Sequence, residues 1–333
     1  MKIIQQFEFG SADVLKVMQC EPPQFADGEV LIKGAYTSIN FADIKNRTGA
    51  KAKGAFPITL GLDMVGTITE SRSTQFQAGD RVIAFPKNGS YAELAVAHES
   101  LTYKIPDTLS FEQAAAMPTV SFLAAILVGK VGAVTEEDTV IIHSAAGGVG
   151  SMLVQLCKEK QCRKIIATVG SLEKLDYVKE LGADVVCTYE DFVDTTLEAT
   201  NQKGATIIFD SVAGNITADI LRCLAPFGTL VQFGNSSGKK GTFSTSDVHS
   251  SCRSVKGFSL GTTRKLKPEI IRPFAEKMID QFASQSLHLN IDRIFPLENV
   301  TQAHQYFEQR QHNGKILLKL NPEQYLHIKN TIL

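Results

Sequence analysis

One stretch constrains this chain more than any other: Thr139-Val-Ile-Ile-His-Ser-Ala-Ala-Gly-Gly-Val-Gly150, running into Ser-Met-Leu-Val-Gln-Leu-Cys157. The β-branched run predicts a buried strand, the glycines a tight turn, and the apolar periodicity that follows a helix. Without a Cβ at Gly147, Gly148 and Gly150, an anion can approach the unpaired amides at a helix N-terminus, where the helix dipole favours negative charge. A glycine turn alone is a weak signal. Here it gains weight from a second strand, Lys164-Ile-Ile-Ala-Thr-Val169, about 20 residues past the last glycine, the layout of a dinucleotide-binding unit.

The 333 residues are enough for two domains. Residues 1 to 120 read as all-β, with alternating runs at 29–33, 65–69 and 81–84. From 125 to 260 strand candidates at 139–143, 164–169, 184–186, 205–209, 229–233 and 254–258 alternate with helical segments such as 171–181 and 216–224. That pattern predicts an α/β, doubly wound, mostly parallel sheet. An amphipathic helix over 268–284 and a strand over 314–320 close the sequence.

A formal net charge of −1 gives no reason to expect a nucleic acid or an anionic membrane as partner. The N-terminus lacks the pattern of a signal peptide, and the longest apolar run, 114–128, is short for a span and contains Pro118, Thr119 and Ser121. It reads as a buried helix. Six cysteines are scattered, and only Cys157 and Cys162 are close, at a spacing of neither a redox pair nor a zinc knuckle. Reduced thiols in a cytoplasmic protein are the expectation.

Where a ribose 2′-hydroxyl is recognised, the tip of the second strand carries Asp or Glu. Here the tip is Thr168-Val-Gly-Ser171, with Lys174 one turn on and Glu173 only nearby. A small loop, a hydroxyl and a cation suit a 2′-phosphate. Ser171 and Lys174 are the expected partners, with Tyr189 a further candidate, and the expected cofactor is NADPH.

With these residues in view, the sequence resembles the zinc-independent, zeta-crystallin-like NADPH:quinone oxidoreductases of the medium-chain dehydrogenase/reductase superfamily. The likeness runs through Ser38-Ile-Asn40, Asp43, Arg47-Thr-Gly49, Gly61-Leu-Asp-Met-Val-Gly66, Ala78-Gly-Asp-Arg-Val82 and Gly89-Ser-Tyr-Ala-Glu93. It continues through Ala145-Ala-Gly-Gly-Val-Gly150, Phe209-Asp-Ser-Val212, Phe233-Gly-Asn-Ser-Ser-Gly238 and Gly314-Lys315. The resemblance implies a GroES-like β-rich catalytic domain over 1–124, completed by 265–333, with a Rossmann NADPH-binding domain over 125–264 between them. It also implies a cofactor cleft between the domains and a homodimer.

Carried onto this sequence, the family's cofactor contacts fall on Ala146, Gly147, Gly148 and Val149 at the diphosphate. Gly170, Ser171, Lys174 and Tyr189 would surround the adenosine phosphate, and Gly234, Asn235 and Ser236 the nicotinamide side. Asn40, Asp43 and Arg47 lie on the segment that resembles the substrate-side wall. Asn40 would donate to an acceptor oxygen; Asp43 and Arg47 would orient one another or the loop, or merely form a local ion pair fixing a short helix.

The zinc-bearing relatives place a Cys where Asn40 stands and a His-bearing segment where Gly61-Leu62-Asp63 stands, so no metal is expected. Lys51 replaces a frequent Tyr, Leu123 a frequent Thr, and Ser144 the first glycine of the turn. The activity implied is metal-free hydride transfer from NADPH to a quinone or another conjugated carbonyl. An enoyl or acryloyl thioester reductase and a non-catalytic NADPH-binding scaffold are the alternatives. For a coenzyme A thioester, Lys51 and Lys53 are the only nearby basic pair.

Overall fold

The computed structural model describes residues 1–50 and 55–320, so Lys51 and Lys53 lie outside the described residues. The chain divides into two compact units: residues 1–119 together with 267 onward, and Val120–Leu266.

The second unit is built on six parallel strands: β1 (Thr139–Ile142), β2 (Lys164–Val169), β3 (Val185–Thr188), β4 (Ala205–Asp210), β5 (Leu224–Gln232) and β6 (Ser254–Gly257). Their order is β3-β2-β1-β4-β5-β6, the doubly wound Rossmann order. Strand order reverses between β1 and β4, and such sheets bind ligands outside the carboxyl ends at that point. Register follows burial: Ile141 of β1 faces Ile166 of β2 and Ile208 of β4, all fully buried. Each such side chain contributes about 1.5–3 kcal/mol by leaving water.

β2 spans the residues expected from sequence. β3 begins one residue later than expected and runs two residues further, to Thr188; at its entry Asp184 bonds Ile165 through both its N–H and its carboxylate, at 2.9 and 2.7 Å. The segment 171–181 splits into a single 3₁₀ turn, Leu172–Lys174, and a helix, Leu175–Glu180. Helix α1 (Gly148–Glu159) follows the glycine turn.

The first unit holds a seven-stranded sheet. Its path runs Ile291–Pro296, Lys315–Lys319, Glu29–Ser38, Met64–Ser71, Arg81–Ala84 and Thr102–Lys104, with Leu94–His98 also on Glu29–Ser38. The closing strand pairs antiparallel with Glu29–Ser38, Leu317 opposite Ser38, so the C-terminal segment completes this sheet. Ile32, Ile68, Val82 and Ile316 lie in its core. Residues 1–120 are not all-β: Phe41–Arg47 and Phe111–Ala116 are helices.

The apolar run 114–128 is interrupted at Pro118, which starts a second helix, Pro118–Ile126, followed by a π turn, Leu127–Val131. Among the described residues no helix is long and apolar enough to cross a membrane. All six cysteines are free thiols.

Candidate functional site

The glycine turn is shaped by close approach. Past β1, Ser144 takes φ +54°, Ala145 N–H donates to Thr168 O at 2.9 Å, and Gly147 N–H donates to Ser144 O at 2.9 Å. A Cβ on Gly150 would stand 2.2 Å from Ser144 O and 2.7 Å from Ala145 Cα, so only glycine lets α1 start this near β1. Gly147 precedes the helix in extended conformation. The first-turn amides of Gly148, Val149 and Gly150 have no intrahelical acceptor, and the helix dipole adds positive potential there. Ala146, Gly148 and Val149 are half-buried and Gly147 exposed. All four fit a diphosphate held by main chain.

At the tip of β2, Gly170 is exposed with open space where a Cβ would sit. Ser171 is extended and half-buried, and Lys174 ends the 3₁₀ turn that follows. Glu173, beside Lys174 in that turn, is exposed. Tyr189, one residue past β3, points its hydroxyl at the glycine turn: its Oη accepts the Ser144 N–H at 2.8 Å and lies 3.2 Å from Ser144 Oγ.

The loops after β4 and β5 are laced together. The buried Asp210 carboxylate accepts the N–H groups of Val212 and Ala213 at 2.7 and 3.0 Å. Gln232 Nε2 donates to Asp210 O at 3.1 Å and to Gly234 O at 2.7 Å, and Ser236 N–H donates to Ser211 O at 2.8 Å. Gly234, Asn235 and Ser236 are thereby held, half-buried, at the carboxyl edge of the sheet.

His143, one residue past β1, is fully buried, its Nδ1 2.8 Å from Thr168 Oγ1 and its ring stacked on Tyr189. Burial pushes its pKa down to about 4, against the opposing pull of Asp210.

In the first unit, Asn40, Asp43 and Arg47 are all buried. Asn40 Nδ2 donates to Asp63 Oδ2 and Ser38 Oγ, each at 3.1 Å, while its Oδ1 accepts from Lys315 Nζ at 2.8 Å. Both ends of this amide are therefore bound within the protein. Lys315 also donates to Ile39 O at 3.1 Å, and Thr119 Oγ1 donates to Asp63.

Asp43 accepts the Asn40 N–H at 2.8 Å and the Gly61 N–H at 3.1 Å, and hydrogen-bonds the Tyr91 hydroxyl. Burial, reinforced by Asp63, pushes its carboxyl up to about 7 against its backbone bonds and Lys315. Arg47 does not pair with it. Its guanidinium donates instead to Gly10 O, His304 Nδ1 and Glu308 Oε1 at 3.1, 3.1 and 2.7 Å.

Residues 26–107 match the family described as alcohol dehydrogenase GroES-like domain, and residues 148–277 the one described as zinc-binding dehydrogenase. A quinone oxidoreductase of Pseudomonas aeruginosa is 30% identical over 328 residues, covering 95% of this chain and 99% of that protein. The chain belongs to the quinone oxidoreductase family.

A probable quinone oxidoreductase of Schizosaccharomyces pombe is 28% identical, across 96% of this chain and 98% of its own length. Among solved structures, Escherichia coli quinone oxidoreductase complexed with NADPH superposes with a TM-score of 0.89 at 27% identity, covering 96% of this chain and all of that one.

Within this quinone oxidoreductase family member, sequence reasoning left Asp63, Tyr91, Asp210, Gln232, His304 and Lys315 without a role. Asp63, Tyr91, Asp210 and Lys315 sit inside the motifs that carried the likeness. Gln232 and His304 carried no signal, since their contacts arise from sheet packing and from the C-terminal helix Val300–Glu308.

Proposed function

We propose that the chain is an NADPH-dependent reductase that transfers hydride to quinones or other conjugated carbonyl acceptors without zinc. The observation that carries the cofactor choice is the tip of β2. Ser171 and Lys174 stand there where a 2′-hydroxyl site would need a carboxylate. Family membership supports the reaction class, and the NADPH complex of the Escherichia coli relative supports the cofactor.

When bound, NADPH supplies the hydride from C4 of its nicotinamide. The chain's own residues hold and orient it. Amides of Ala146, Gly147, Gly148 and Val149 take the diphosphate, Gly170, Ser171 and Lys174 surround the adenosine phosphate, and Gly234, Asn235 and Ser236 serve the nicotinamide side. Tyr189 belongs to the same cofactor set through its seat on the turn.

On the acceptor side we assign Asn40, Asp43 and Arg47 to shaping the wall. The bonds that tie up Asn40's amide support positioning over proton donation to substrate. Zinc independence draws support from the donor set: Asn40 and Asp63 surround an ammonium, Lys315, and a fixed cation disfavours a second one. Among the described residues no three His, Cys, Asp or Glu side chains converge as a metal site. The edge strand β6, exposed along its length, supports a homodimer by edge pairing, and free thiols support a reducing, cytoplasmic setting.

The test is NADPH oxidation with phenanthrenequinone, benzoquinone and crotonyl-coenzyme A in parallel, before and after dialysis against a chelator. Quinone-dependent oxidation that survives dialysis is expected. Oxidation with the thioester alone contradicts the acceptor, and loss on dialysis restored by zinc contradicts the metal-free reading.

A further inference from the structure

We propose that Tyr189 is a positioning residue for the diphosphate turn, holding Ser144 in the left-handed conformation on which the start of α1 depends. The inference rests on the function proposed above and assigns Tyr189 a different task from contact with the 2′-phosphate.

Three observations meet at Ser144. Its φ of +54° is one that a residue with a Cβ adopts at a cost, because the Cβ crowds the following carbonyl. Glycine would adopt it freely. In that conformation Ser144 O receives the Gly147 N–H at 2.9 Å and lies where any Cβ on Gly150 would collide with it. Turning Ser144 back to an ordinary φ moves this carbonyl, and with it the amides that would meet the diphosphate. Third, the Ser144 N–H is captured at 2.8 Å by Tyr189 Oη, which also lies 3.2 Å from Ser144 Oγ.

Tyr189 is itself rigidly seated. Its ring stacks on His143 with centroids 5.7 Å apart, and Phe192 packs edge-on against both rings. The hydroxyl also hydrogen-bonds Thr168, whose Oγ1 is 2.8 Å from His143 Nδ1. β1, β2 and the end of β3 are thus joined through one phenol. With that hydroxyl engaged at the turn, its effect falls on the diphosphate, which NADPH and NADH share.

The experiment is a double-mutant cycle read by calorimetric titration with NADPH and with NADH. Tyr189→Phe keeps the stacked ring and deletes only the hydroxyl. It is expected to raise both dissociation constants by a common factor of about 5 to 10, the worth of one hydrogen bond. In a Ser144→Gly background, where the left-handed conformation needs no support, the same change is expected to cost about 2-fold or less. This background also keeps the test readable if Tyr189→Phe alone misfolds. A loss confined to NADPH assigns Tyr189 to the 2′-phosphate and overturns the proposal. So do equal losses in both backgrounds, or no loss in either. Wild-type protein that binds neither dinucleotide overturns the proposed function together with this role.

Discussion

Arg47 donates to His304 Nδ1 at 3.1 Å, and this one contact fixes the tautomer of a fully buried histidine. A guanidinium can only donate, so Nδ1 accepts and the proton sits on Nε2, facing Tyr91 Oη at 3.0 Å. The Tyr91 hydroxyl then turns to Asp43. A chain of bonds so reaches from the C-terminal helix to the carboxyl beneath Asn40.

This arrangement predicts acid sensitivity. Burial, with Arg47 adding to it, pushes the His304 pKa down to about 3, and burial pushes His143 down to about 4. Both are lowered from about 6.5 in the unfolded chain, so the stability they contribute is complete above that pH and lost as pH falls below it. Asp43 has the opposite sign: raised to about 7, its contribution is present in acid and lost as pH rises through that value. Between about pH 4 and 6.5 it offsets one histidine, leaving a net fall of about 1 kcal/mol per pH unit of acidification from these three groups. His304→Gln, which accepts from Arg47 and donates to Tyr91 without titrating, is expected to flatten that slope in urea melts.

Lys315 neutralises a buried acid pair. Its ammonium binds Asn40 and Ile39 between Asp43 and Asp63, although burial lowers its pKa. Removing one partner from such a buried set costs about 3–5 kcal/mol, because the remaining charge is left unmatched. Lys315→Met is expected to show that loss in chemical denaturation, with Asp43→Asn and Asp63→Asn in the same background recovering part of it.

Much of the second unit was legible in the sequence for a physical reason. Parallel strands buried on both faces read as unbroken β-branched runs, as at Ile165, Ile166 and Val169, and the Gly150 spacing marks the turn. The helix Phe41–Arg47 was legible only through the i,i+4 spacing of Asp43 and Arg47, because seven residues give too few turns for a periodic signal. Tyr189 stood out by its place just past the third strand, but its bond to Ser144 depends on how β1 and β3 flank β2. Likewise the closing strand could be read, whereas the meeting of Lys315 with Asn40 comes from its pairing beside Glu29–Ser38.

Cofactor preference is predicted to reside in Lys174. Lys174→Ala is expected to raise the Michaelis constant for NADPH about 10-fold or more while leaving that for NADH within about 2-fold, since a charge-assisted phosphate bond contributes roughly 1.5–3 kcal/mol. Steady-state kinetics with both cofactors decide it, and equal changes remove Lys174 from the phosphate site.

The proposed chemistry requires a reduced dinucleotide to rest on the bare main chain between Ser144 and Gly150. Calorimetric titration of the folded protein with NADPH tests it most directly, with Gly150→Ala as comparison because its Cβ would meet Ser144 O at 2.2 Å. Saturable, one-per-chain binding that Gly150→Ala abolishes is the predicted result. No heat with wild-type protein, or binding indifferent to a Cβ at that position, contradicts the account.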